Sequence, residues 1–187
     1  GDADQSMAEE VAFNSKVHRP GVCNALETLL IDKSIANNIL PSLSKKLSDS
    51  GVELRGDKIT KNILTGSGIK IETANDSDWD EEYLDLILSI KVVNGIKEAI
   101  DHINIHGSGH TETIITKNPE SAKQFQTQVD SSTIFWNAST RFTDGGEFGM
   151  GAEIGISTDK IGARGPMGLE ELTTYKWLGV ADGLIRQ

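Results

Sequence analysis

The chain has 187 residues, of which 37% are hydrophobic and 25% charged, and carries a formal charge of -10. That length can bury a core without disulfides or metals, no apolar run is long enough to span a bilayer, and scattered Lys and Arg in an acidic chain argue against a nucleic-acid partner. One cysteine, Cys23, excludes an internal disulfide and any multi-cysteine zinc site and fits a reducing compartment.

In chain order, Asp2 to Lys16 reads as a helix with Asp2, Asp4 and Ser6 as caps and Met7, Ala8, Val11 and Ala12 as its apolar stripe. The acidic start lacks the basic and apolar regions of an export signal, so a cytoplasmic location is expected. Pro20-Gly21 breaks the helix. Leu26 to Ile31 is an apolar run of strand length. Lys33 to Ser50 is a helix with Ile35, Ile39, Leu43 and Leu47 four apart, closed by Gly51, and Lys45-Lys46 belongs to its wet face.

Val52–Leu54 and Leu84–Val93 read as strands, and Ile96 to His106 as a helix stopped by Gly107. Thr113–Thr116 is a strand, Pro119 to Gln128 a helix with Pro in its first turn, and Thr133–Trp136 another strand. Strands alternating with helices of ten to fifteen residues imply an α/β fold with a mostly parallel sheet flanked by helices. Residues 141–168 hold eight glycines, at 145, 146, 149, 151, 155, 162, 165 and 168. Their low periodicity predicts an ordered loop that shapes a site.

Cys23 is the first candidate for chemistry. The bland alternative is a buried, inert filler. Its place after a Pro-Gly break, with His18 and Arg19 before it and Asn24 after, favours an exposed thiol of lowered pKa, as a nucleophile needs. His18 could act as a base or simply stabilise helix-end carbonyls. His102, His106 and His110 are spaced four apart, but glycines interrupt the helix before His110 and no carboxylate completes a zinc motif; no metal is expected. Gly107-Ser108-Gly109 is a turn rather than a phosphate loop. The acidic run Asp76 to Asp85 is a solvated loop, or else supplies a carboxylate to a ribose hydroxyl. Asn137 to Gly146, directly after a strand, reads either as an anion pocket around Arg141 or as a capped turn.

Several of these stretches carry a resemblance. Arg19 to Leu30, Val129 to Ser132, Asn137 to Gly146, Phe148 to Glu153 and Ala163 to Glu170 are similar to long, specific motifs of gamma-glutamyl phosphate reductases, members of the aldehyde dehydrogenase superfamily. The resemblance runs from about Ala3 to Arg186 and is thin between about Lys45 and Asn75. It implies the catalytic domain of the aldehyde dehydrogenase fold over residues 1–172, with the nucleophile at 23 and substrate loops over 137–168. Residues 173–187 would be a C-terminal strand that serves oligomerisation.

The implied reaction is NADPH-dependent reduction of L-glutamyl 5-phosphate to L-glutamate 5-semialdehyde and phosphate, the second step of proline biosynthesis. Cys23 would form a thioester, with its backbone N–H as one oxyanion donor. Glu82 would hold the nicotinamide-side ribose. Asn24, Asn137, Ser139, Thr140 and Arg141 would contact substrate. The implied partners are further copies of the chain and glutamate 5-kinase. The family's nucleotide-binding portion would lie upstream of this sequence, so the segment alone is expected to bind NADPH poorly and to be inactive. Gly162 stands where the family usually has histidine. Two rivals remain: an aldehyde-oxidising dehydrogenase, and a noncatalytic oligomerisation module.

Overall fold

The structure, a computed structural model, describes residues 1–187. It opens with helix α1 (Gln5–Val17), whose first turn is capped by Asp4 Oδ1 accepting from the Met7 N–H at 3.1 Å. The expected stripe is rotated. Met7 is exposed, and Ala12, Ser15 and Lys16 are the residues α1 buries. Strand β1 (Thr28–Asp32) runs directly into helix α2 (Lys33–Asp49), with Asp32 Oδ1 capping the Ser34 N–H at 2.9 Å. Ala36, Ile39, Leu40, Leu43 and Leu47 form the buried face of α2, while Lys45 and Lys46 are exposed. Gly51 takes a φ of 85° where the chain leaves the helix, a conformation cheap only for glycine.

The thinly patterned stretch after α2 contains strand β2 (Glu53–Gly56), helix α3 (Lys58–Leu64) and strand β3 (Glu72–Thr73). Asp57 caps α3 through the Thr60 N–H at 2.8 Å. Strand β4 (Ile87–Val93) follows, then helix α4 (Ile96–His106), strand β5 (Thr111–Ile114), helix α5 (Pro119–Gln128) and strand β6 (Thr133–Trp136). The five strands expected between residues 26 and 136 are present; β6 keeps its expected bounds and the other four are displaced by one to three residues at an end, while no strand forms within 173–187. The glycine-rich stretch contributes only the short antiparallel pair β7 (Gly155–Ser157) and β8 (Gly165–Met167).

β1, β4, β2 and β3 form one parallel sheet in that order, and β5 with β6 forms a second parallel pair. The main core packs α1 and α2 on the larger sheet through Leu40, Leu43, Leu47, Leu54, Leu88 and Ile90. A smaller core of Ile100, Phe125 and Val129 joins α4 and α5 to the second pair. β1 has a strand neighbour only in β4, and β5 only in β6. A cavity of about 530 Å³ lies between them and is lined by every residue of both strands. The first residues of the chain cross the far ends of these strands. The Gly1 ammonium lies 3.5 Å from Asp32 Oδ2, and Asp2 O accepts from the Lys117 N–H at 2.8 Å.

Residues 173–187 pair with no strand of the chain and are exposed throughout. No helix is long and apolar enough to cross a membrane.

Candidate active site

α1 ends at Val17, and Pro20-Gly21 turns the chain toward β1. A tight turn closes by Ala25 N–H donating to Val22 O at 2.9 Å, so Cys23 and Asn24 occupy its corner. Cys23 is exposed there, and His18 is also exposed, at the end of α1. Asn24 points inward and is buried. Its Nδ2 donates to Thr143 O at 2.9 Å, its Oδ1 accepts from Arg141 Nη1, and its carbonyl accepts from Thr140 Oγ1 at 2.6 Å. These bonds tie the cysteine turn to the segment after β6.

That segment is organised by its own short side chains. Asn137, at a φ of 59°, accepts from the Thr116 N–H at 2.9 Å and donates to Thr116 O at 3.0 Å. Ser139 Oγ lies 3.0 Å from Ser15 Oγ and accepts from the Arg141 N–H at 3.3 Å. Asn24, Ser139, Thr140 and Arg141 are thus brought together beside Cys23, whereas the Asn137 side chain is spent on the connection after β5. Arg141 alone keeps a spare donor: its Nε is buried without a partner. A guanidinium in that state suits an anion.

Thiol acidity differs from expectation. The protein around Cys23 withdraws water from the sulfur and pushes its pKa up; Glu153 and Glu82 add to the rise, while the Cys23 backbone and Arg141 oppose it. The positive neighbours read from sequence do not prevail, because burial costs the thiolate its water and two carboxylates share the cleft with one arginine.

Glu82 reaches the cleft from the segment before β4, is exposed, and lines the same cavity as Cys23. The rest of the acidic run is not uniformly solvated. Asp78 is buried, accepts from the Asn75 N–H at 2.6 Å, Arg55 Nη1 at 2.7 Å and Tyr83 Oη at 2.7 Å, and is thereby held below the usual carboxylate range. Glu27 fixes the chain beside Glu82. Its Oε1 accepts from the Leu84 N–H at 3.2 Å, and its Oε2 from the fully buried Lys16 Nζ at 2.8 Å. Glu82 makes no hydrogen bond within the chain that would occupy it, so it suits the ribose hydroxyl of a dinucleotide.

The three histidines diverge. His102 Nδ1 lies 3.1 Å from Lys91 Nζ, His106 Nδ1 lies 2.8 Å from Asp80 Oδ1, and His110 Nδ1 lies 2.6 Å from Thr111 Oγ1. No group of three or more His, Cys, Asp or Glu side chains is placed to hold a metal ion.

Three contributors to the site lie outside the sequence reading. Thr143 anchors Asn24, Glu153 accepts from the Gly145 N–H at 2.8 Å, and His110 lines the cavity. At Gly145 a Cβ would stand 2.8 Å from Ala152 O, so glycine is what lets the two passes of this loop approach. The one signal His110 carries in the sequence is its spacing from the other histidines.

No family model matches the chain. The gamma-glutamyl phosphate reductase of Thermoanaerobacter pseudethanolicus is 57% identical over 182 residues, 97% of this chain and 43% of that protein. That of Thermodesulfovibrio yellowstonii is 54% identical over 186 residues, 100% of this chain and 44% of its own. The crystal structure of gamma-glutamyl phosphate reductase from Thermotoga maritima superposes with a TM-score of 0.95 at 47% identity, covering 100% of this chain and 44% of the other. An acetylating aldehyde dehydrogenase from Geobacillus thermoglucosidasius shares the fold at a TM-score of 0.59 and 18% identity, over 78% of this chain and 40% of the other. The fold is therefore the α/β arrangement of the aldehyde dehydrogenases, and the chain spans less than half the length of the curated relatives it matches.

Proposed function

We infer that this chain, which matches gamma-glutamyl phosphate reductases along essentially its whole length, is the catalytic segment of such an enzyme. Its reaction is the reduction of L-glutamyl 5-phosphate to L-glutamate 5-semialdehyde and phosphate with NADPH, within proline biosynthesis. The observation that carries this reading is the exposed Cys23 at the corner of a turn whose next residue, Asn24, is locked to Arg141 and Thr143.

Cys23 attacks the acyl carbonyl, the C–O bond to phosphate breaks, and a thioester forms on the sulfur. Arg141, with its unpartnered Nε, offers its charge to the substrate's anionic end. Asn24, Ser139 and Thr140 keep the nucleophile turn and Arg141 in register. The Cys23 N–H is one donor for the oxyanion. Glu82 would hold the nicotinamide-side ribose of NADPH, which when bound would supply a hydride to the thioester carbonyl. Collapse of the resulting thiohemiacetal frees the aldehyde and returns the Cys23 thiolate.

The test uses the full-length parent with glutamate semialdehyde and NADP, run in the reverse direction. Phosphate-dependent appearance of NADPH is expected, and Cys23→Ala abolishes it. Oxidation of the aldehyde without phosphate would identify an aldehyde-oxidising dehydrogenase instead. Turnover that survives Cys23→Ala would overturn the nucleophile.

A further inference from the structure

His110 immediately precedes β5, as Cys23 and Glu82 precede β1 and β4. All three strands run parallel to a neighbour, and the three residues line one cavity. His110 is 8% exposed, and its Nε2 is buried with no partner. Its other nitrogen is spoken for. Thr111 Oγ1 donates its proton to Thr143 Oγ1 at 2.8 Å, so the contact of 2.6 Å between His110 Nδ1 and Thr111 Oγ1 requires that Nδ1 carry hydrogen. Nε2 is left with a bare lone pair. Thr143 is also the residue whose carbonyl holds Asn24, so the bonds that set the tautomer continue to the cysteine turn.

We propose that His110 is the proton acceptor for Cys23, an assignment that rests on the acyl-phosphate reading above. The Cys23 S–H proton passes to His110 Nε2 across one water as the sulfur–carbon bond forms. The imidazolium gives that proton to the oxygen departing with phosphate, which leaves as hydrogenphosphate. Once the thioester has been reduced and the aldehyde has left, the exposed Cys23 thiolate recovers a proton from solvent.

The surroundings suit the role. Burial keeps His110 below its ordinary pKa and hence neutral at pH 7, while Glu82 and Glu153, whose charges also reach Cys23, favour the cation once formed. The raised thiol pKa makes an acceptor necessary, because little thiolate exists before attack.

The pair is tested on this chain by iodoacetamide alkylation of Cys23 and by nitrogen NMR of its imidazoles. Near neutral pH, His110→Gln is expected to react at least about tenfold more slowly than the parent sequence. The two should become equal in strong urea, where the pair is gone. Thr111→Val, which frees the tautomer, should fall between them. The unsubstituted chain should show His110 Nε2 without hydrogen at neutral pH. Rates for His110→Gln within twofold of the parent sequence, or a hydrogen on Nε2, would overturn the assignment. If the pair behaves as stated while the full-length enzyme shows no phosphate dependence, the acyl-phosphate reading fails and proton acceptance by His110 stands.

Discussion

Asn24 concentrates more of the site than any other side chain. It meets Thr143 O, Arg141 and, through its carbonyl, Thr140, all while buried. Asn24→Ala leaves the Thr143 carbonyl without its donor and the guanidinium without its acceptor. A loss of about 2 kcal/mol in unfolding free energy is expected by urea titration, since each buried group left unpaired costs about 1–3 kcal/mol. Turnover of the full-length enzyme should fall further than stability explains, because Arg141 is freed to rotate. Cys23 was legible from its Pro-Gly break, and Arg141 from its motif. The roles of Thr143, Glu153 and His110 were not, because they depend on contacts across more than a hundred residues of chain or on which nitrogen of a ring is engaged. The raised thiol pKa was hidden for the same reason: His18 and Arg19 are neighbours in sequence, whereas the chain that buries the sulfur, and Glu153 and Glu82 with it, are neighbours in space.

α2 shows how packing overrides a local signal at the level of the element. Pro41 lies within this helix, exposed, and cannot donate to the Asn37 carbonyl. The helix continues because Leu40, Leu43 and Leu47 are fully buried against the sheet. Pro41→Ala restores the missing donor on the wet face, and a gain of about 1–2 kcal/mol is expected by thermal or urea unfolding, the proline's restraint on the unfolded chain offsetting part of it. The helices read from sequence were those with strong apolar periodicity or a clear cap. α3 escaped notice because it is seven residues long and is marked only by Asp57. β3 is two residues long and exposed, and exists because β2 lies beside it. The rotated face of α1 has a specific origin: Lys16 is drawn inward by Glu27, a charge pair that apolar periodicity does not register.

For the molecule as a whole, buried titratable groups act on stability in opposite directions. Burial raises Glu112 from 4.5 to about 7, so above pH 4.5 the folded chain retains a proton that the unfolded chain has released. This makes stability fall as pH rises. Burial and Lys91 lower His102 from 6.5 to about 4, so below pH 6.5 the unfolded chain takes up a proton that the folded chain refuses. This makes stability fall as pH drops. Glu27, raised by burial, reinforces the first effect, and His110 the second. The opposing slopes nearly cancel between about pH 4.5 and 6.5. Removing one exposes the other. In Glu112→Gln, stability should rise with pH across that window, and in His102→Gln it should fall, each by on the order of 1 kcal/mol per pH unit. Urea unfolding at several pH values reads both, and equal slopes in the two variants would refute the assignment.

The C-terminal fifteen residues carry Tyr175, Trp177, Leu178, Val180, Leu184 and Ile185 almost wholly into solvent, a composition that suits burial against a further protein surface.

The two strands that face each other across the cavity have one more consequence. Every second backbone amide and carbonyl of β1 and β5 has no ladder partner on the cavity side, along walls that are largely apolar. Such a pair of open edges is a mould for one more strand, and it does not discriminate by sequence as firmly as a side-chain pocket does. During synthesis or refolding at high concentration, the same groove that accepts a correct strand also accepts a neighbour's. The fault expected in handling this chain is therefore runaway β-association seeded between β1 and β5, more than loss of its helical layer.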